Sequence, residues 1–246
     1  MKIKNAEKLI SALSGQYPKA RLHVDGKLFQ KTLKNFSKVQ IELCNLTVHG
    51  KVNLPNTSIN VRGGRFDAPR LTVNNVDTPW TGFARVGTVI KDAFNDRRAK
   101  LVIRQNVGGD AINYSSGYML VGGNVGGDAI NELTHTNFNW PQRPRFKLGT
   151  LTVRGKVNRA LSLYGGTMSV GDVNIIHYNQ PGTLTITNKS NNRMGIVMAR
   201  PTLLQDDALF INGIRIRPFE GWINDVQAFL QEALAYKLVL NAKAIS

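Results

Sequence analysis

Two octamers in this chain are identical: NVGGDAIN occupies residues 106–113 and again 124–131. A second pair nearly matches, LTVHGKVN at 46–53 and LTVRGKVN at 151–158. Self-similarity of this kind means one short structural unit used repeatedly, and it constrains the fold more than composition does.

Between and around the repeats run short β-type triplets bounded by Gly, Asn, Asp or Pro. Leu46-Thr47-Val48, Ile59-Asn60-Val61 and Leu71-Thr72-Val73 open the series. Leu101-Val102-Ile103, Met119-Leu120-Val121, Leu151-Thr152-Val153, Leu161-Ser162-Leu163 and Met168-Ser169-Val170 continue it. Val173-Asn174-Ile175, Leu184-Thr185-Ile186, Ile196-Val197-Met198, Leu209-Phe210-Ile211 and Ile214-Arg215-Ile216 close it. Many short strands separated by turn residues predict a mainly β body.

Two architectures compete for it. A parallel β-solenoid uses roughly 18–25 residues per coil and stacks equivalent side chains. It would put Val107 under Val125, Ile112 under Ile130 and Asn106 under Asn124. The cost is Asp110 beside Asp128, since like charges directly opposite are destabilising. Facing water or sharing a cation would relieve it. The alternative is an antiparallel β-sandwich or meander, with YSSGY at 114–118 turning a hairpin. The solenoid is the expectation, because the Gly-bounded triplets with Asn nearby resemble the β-helix architecture in general.

Residues 1–38 read as an N-terminal helix and hairpin. Asn5 caps a helix that ends at Gly15. RLHVDGKLF at 21–29 then reads as a hairpin turning at Asp25-Gly26, and 30–37 as a loop or one more helical turn. Residues 39–218 form the β-rich repeat body. It divides into lobes at 39–136 and 146–218 around the Pro-rich NFNWPQRPR at 137–145, and an LTVxGKVN copy opens a run of strands in each. The stretch 79–98 breaks the triplet pattern. Residues 219–246 close the chain with an amphipathic helix over 220–237. Its stripe of Trp222, Val226, Phe229, Leu230, Ala233 and Leu234 covers the end or side of the β body. As the alternative, Trp222, Val226, Phe229 and Leu230 would contact a partner.

Charge is the unusual bulk property, with 32 Lys+Arg against 16 Asp+Glu and a net charge of +16. It is uneven: residues 1–104 are strongly basic, and so are 143–246. Residues 105–142 hold no Lys or Arg and carry only Asp110, Asp128 and Glu132. Phosphate backbones and acidic surfaces attract such a chain. The contact candidates are Arg62, Arg65 and Arg70 around Phe66; Arg97, Arg98, Lys100 and Arg104; and Arg143, Arg145 and Lys147 around Phe146, with Arg154, Lys156 and Arg159 following. Cations on phosphates with an interleaved aromatic under a base suit nucleic acid, and an acidic partner is the other reading.

Catalytic motifs are missing from the sequence. The glycine pairs fit neither GxxxxGK[ST] nor a strand–GxGxxG–helix context. His23, His49, His135 and His177 lack metal-ligand spacing, and Asp206-Asp207 reads as a loop or helix cap. Cys44 is the only cysteine, which excludes a disulfide framework and points to a reducing compartment. No cofactor and no metal are expected. No apolar run is long enough to span a bilayer, and the N-terminus does not read as a signal peptide. The leading expectation is a non-enzymatic structural or assembly protein, cytoplasmic or part of a virion such as a bacteriophage, that joins copies of itself or other structural proteins. A basic nucleic-acid-binding protein is the alternative, and a carbohydrate-active β-helix ranks last.

Overall fold

The computed structural model describes residues 1–132, 149–163, 166–179, 183–188, 190, 193–198, 208–216 and 221–243. The chain opens with β1 (Lys2–Ile3), α1 (Ala6–Leu13), β2 (Arg21–Asp25) and α2 (Gly26–Leu33). It continues through β3 (Lys38–His49), β4 (Val52–Leu54), β5 (Ser58–Val73), β6 (Val76–Thr78), β7 (Phe83–Val89), β8 (Ala93–Asn95) and β9 (Lys100–Ile103). Next come β10 (Ala111–Tyr114), β11 (Tyr118–Val121), β12 (Asp128–Glu132), β13 (Thr150–Val153), β14 (Val157–Leu163), β15 (Thr167–Val170) and β16 (Val173–Asn179). The last elements are β17 (Thr183–Ile186), β18 (Met194–Met198), β19 (Ala208–Ile211), β20 (Ile214–Ile216), β21 (Gly221–Ile223) and α3 (Val226–Lys243).

These strands wind a parallel β-solenoid of about nine turns. Through the body each strand pairs in parallel with its equivalent one coil away, and the closing pairs β19–β20 and β18–β21 are antiparallel. Thus β10 lies between β8 and β12, and β11 between β9 and β13, all parallel. The antiparallel reading of 114–118 therefore fails. Ser115, in the left-handed region at φ 53°, turns the chain from one side of the coil to the next. The pairings β11–β13 and β12–β14 carry the stack past residues 133–148. Strands β7 and β8 likewise run through the stretch 79–98, so the coil persists where the triplet pattern weakens.

Each coil has two main sides and a short third one. The first side stacks the second half of β3, the middle of β5, then β7, β9, β11, β13, β15, β17 and β19. The second side stacks the first half of β3 and of β5, then β6, β8, β10, β12, β14, β16 and β18. The third side is little more than one buried valine per coil: Val73, Val89, Val107 and Val125.

Alternation along each strand sends every second side chain inward. On the first side, Leu46, Phe66, Ala84, Leu101, Met119, Leu151, Met168, Leu184 and Leu209 form one continuous buried column. Each of the larger members contributes about 1.5–3 kcal/mol of burial.

The repeated octamer supplies parts of two sides and the corner between them. Asn106 Oδ1 accepts the N–H of Asn124, 2.8 Å away on the next coil, and Asn124 Oδ1 accepts the N–H of Lys156. Val107 and Val125 bridge on the third side. Gly108 and Gly126 lie so close to the previous coil that a Cβ would overlap the carbonyl oxygens of Ile90 and Gly108 respectively. Ala111 and Ala129 point inward, and Ile112 and Ile130 point outward in register. Asn113 and Asn131 extend a buried amide ladder. Thr78 Oγ1 donates to Asn95 Oδ1, Asn95 Nδ2 to Asn113 Oδ1 (2.7 Å) and Asn113 Nδ2 to Asn131 Oδ1 (2.8 Å).

The aspartate conflict is resolved by the backbone. Asp92 Oδ1 accepts the N–H of Asp110, and Asp110 Oδ1 accepts the N–H of Asp128, both at 2.8 Å. Each carboxylate faces a partial positive charge rather than the next carboxylate. Asp128 ends the series in an Arg159 ion pair.

Helices close both ends. Asn5 Oδ1 caps α1 through the N–H of Lys8. The hairpin expected at Asp25-Gly26 is instead a strand-to-helix junction: Asp25 Oδ1 accepts the N–H of Lys27 and caps α2. Leu28, Phe29 and Leu33 then follow helical spacing, and Phe29 stacks near Phe66 in the core. At the other end, Asp225 caps α3. Val226 and Leu230 of α3 are buried, with Phe229 packed against the core. The helix thus covers the end of the β body and starts later than its apolar spacing suggests. Trp222 belongs to β21, which pairs antiparallel with β18, and it is 55% exposed.

Candidate interaction surfaces

Outward-facing residues stack as regularly as the inward ones, so each outer face is a set of parallel columns. On the first side one column reads Arg65, Phe83, Lys100, Tyr118, in register from coil to coil. Cations and aromatics alternate, and they touch. The Arg65 guanidinium lies 4.2 Å from the Phe83 ring centroid, and Lys100 Nζ lies 4.8 Å from that of Tyr118.

The corner leading into this side continues the pattern. Trp80, 61% exposed, carries the Arg97 guanidinium 5.1 Å from its ring centroid. Arg97 sits at φ 54°, a conformation that costs a side-chain-bearing residue about 1–2 kcal/mol and that glycine adopts freely. Ser116 Oγ donates to the Arg97 carbonyl oxygen from the next coil. Trp80, Thr81, Arg97, Arg98, Ser115 and Ser116 line an open groove of about 370 Å³.

The arginines singled out in the sequence are thus sorted by the coil. Arg65, Arg97, Arg98 and Lys100 meet along one edge. Arg62 goes to the second side, 3.9 Å from Glu42. Arg70 and Arg104 lie exposed beyond the far ends of the first-side strand segments. Arg143, Arg145 and Lys147 lie outside the described residues, as do the linker at 137–145, His135 and Asp206-Asp207. Arg85 was missed: it pairs with Asp67 through Nε and Nη2 at 2.7 and 2.6 Å, and Arg65 joins at 3.1 Å. Burial pushes the Asp67 carboxyl up, but the hydrogen bonds and charges of Arg85 and Arg65 outweigh it and hold it below the ordinary carboxylate value.

The second side differs. Its outward column runs Asp77, Phe94, Ile112, Ile130, Leu161, His177. Phe94, Ile112, Ile130 and Leu161 make four consecutive coils of half-buried apolar surface. Asp110 and Asp128 flank the column on one margin, Tyr114 and Glu132 on the other.

Trp80, Phe83, Tyr118 and the apolar column were not visible as sites in the sequence. The signal was a periodicity: Trp80 precedes Arg97, Phe83 precedes Lys100, and Phe94 precedes Ile112 by one coil each.

The histidines His23 and His49 pair on adjacent coils, with Nδ1 and Nε2 3.0 Å apart. Among the described residues no three His, Cys, Asp or Glu side chains gather as a metal site, and no helix is long and apolar enough to cross a membrane. No family model, curated protein or solved structure matches the chain.

Proposed function

We propose that the protein is a non-enzymatic assembly module, a rigid rod whose second side joins another copy of itself. The observation that carries this is the outward ladder of Phe94, Ile112, Ile130 and Leu161. Contiguous apolar surface presented by a regular scaffold marks an interaction site.

Charge says which partner fits. A chain of net charge +16 repels its copies almost everywhere. Residues 105–132 lack Lys and Arg, and they build the middle of the second side. Two copies meet there at the least electrostatic cost. Asp110 and Asp128 are already engaged by backbone N–H groups and Arg159, which lowers the repulsion that remains. A stable interface buries about 800 Å² per partner, so the contact extends beyond the four apolar side chains to neighbours such as Tyr114 and His177. A basic rod of this kind suits a structural role in a virion, and a phage particle is the setting we favour.

Size-exclusion chromatography with light scattering tests the reading. An oligomer should appear at micromolar concentration and persist at about 0.5 M salt, where screening weakens repulsion between copies. A monomer under all these conditions contradicts it.

A further inference from the structure

We propose that the edge formed by Trp80, Phe83, Arg97, Arg98, Lys100 and Tyr118 binds a single-stranded polynucleotide. This surface lies on the first side and on the corner that joins it to the second, and its ligand is read by an assay independent of self-association, so the two proposals stand or fall separately.

The argument begins with spacing. Trp80 and Phe83 belong to one coil, Arg97, Arg98 and Lys100 to the next, and Tyr118 to the one after. Adjacent strands are about 4.8 Å apart, so the ring-bearing positions recur along a straight, rigid edge. Single-stranded nucleic acid is held by such a combination: cations that track the phosphates and aromatic faces on which unpaired bases stack. Arg97 over Trp80 prepares both interactions at once, since a guanidinium stacks on a ring and still donates to phosphate from its edge.

The free charge is also in the right place. Arg65 is shared with Asp67, but Arg98 has no carboxylate partner among the described residues. The Arg97 guanidinium keeps a loose ion pair with Asp96, its Nε 3.9 Å from Oδ2, too far for a hydrogen bond. The shallow groove beside Trp80 opens between Arg97, Arg98 and the hydroxyl-bearing Ser115 and Ser116. Its exposed tryptophan offers a base a stacking surface that a phosphate-only or carboxylate-only ligand would not use.

Fluorescence anisotropy with labelled oligothymidylate and oligouridylate of about 12 nucleotides tests this, with duplex DNA of equal length and heparin as competitors. Tight binding of either oligonucleotide that weakens steeply with salt is expected, accompanied by quenching of tryptophan fluorescence. Trp80→Ala and Arg98→Ala should each weaken it at least about fivefold. Trp80→Phe should keep most of the affinity, and Arg104→Ala, exposed beyond the far end of the first-side strand, should change it less than twofold. Circular dichroism establishes that each variant is folded. The proposal is overturned if no single strand binds at low salt, or if Trp80→Ala binds as well as the parent. It is equally overturned if Arg104→Ala costs as much as Arg98→Ala, or if duplex or heparin outcompetes the single strands.

Discussion

Asn113 shows how single residues set the register of the solenoid from inside. Its amide is fully buried, accepts from Asn95 and donates to Asn131 and to the Gly117 carbonyl oxygen. A slip of one residue would replace these amides with outward-facing groups and orphan the whole ladder. Removing one rung leaves a buried donor and a buried acceptor unpaired, at about 1–3 kcal/mol each. Asn113→Ala should therefore lower the urea midpoint clearly. Asn174→Ala, which removes a solvent-accessible amide bond to Asn158, should stay within about 0.5 kcal/mol of the parent. Equal effects in the two variants would contradict the ladder's role. Cys44 is the second residue with a readable consequence. It is 1% exposed, and burial pushes its thiol from the ordinary 9.0 up to about 11. The folded state therefore holds the proton more tightly than the unfolded one. Its stabilising contribution is complete below pH 9.0 and is lost as pH rises through about 11. The native thiol should resist disulfide reagents at pH 8. Cys44→Ala should flatten the loss of stability between pH 9 and 11, and an unchanged alkaline limb would contradict the assignment.

At the scale of the element, legibility depended on whether the deciding contact was local. The β-triplets were readable because alternation and Gly or Asn punctuation lie within a few residues, and Leu101, Met119 and Leu151 all fall inward as their pattern implies. The N-cap of α1 was readable for the same reason. Asp25-Gly26 misled because the same dipeptide serves a tight turn or a helix start. What decides is tertiary: Phe29 and Leu33 bury against the first coil as a helical face. Trp222 misled similarly, since its spacing to Val226 suits a helix although its backbone pairs with β18. The interaction surfaces were least legible. Arg65 and Phe83, or Trp80 and Arg97, become neighbours only once the coil length is known, and the insertions that vary it hide the period. The octamer gave that period in one place, between coils where no insertion intervenes.

Over the whole molecule, the solenoid divides its labour by direction. Helices α1 and α2 pack against the first coils, and α3 buries Val226 and Leu230 after the last strands. The sides remain, one basic and aromatic, the other apolar and free of cations along 105–132. Side-by-side association through the apolar ladder is the central claim, and Ile112 and Ile130 are its middle rungs. Both point outward, so replacing them leaves the core intact. The most direct measurement is sedimentation velocity on the parent and on the Ile112→Lys/Ile130→Lys variant, with circular dichroism to establish equal β content. We predict that the parent sediments as an oligomer and the doubly substituted chain as a monomer, because two lysines per copy would add buried like charge to the joint. An oligomer of unchanged mass in the variant would contradict the claim.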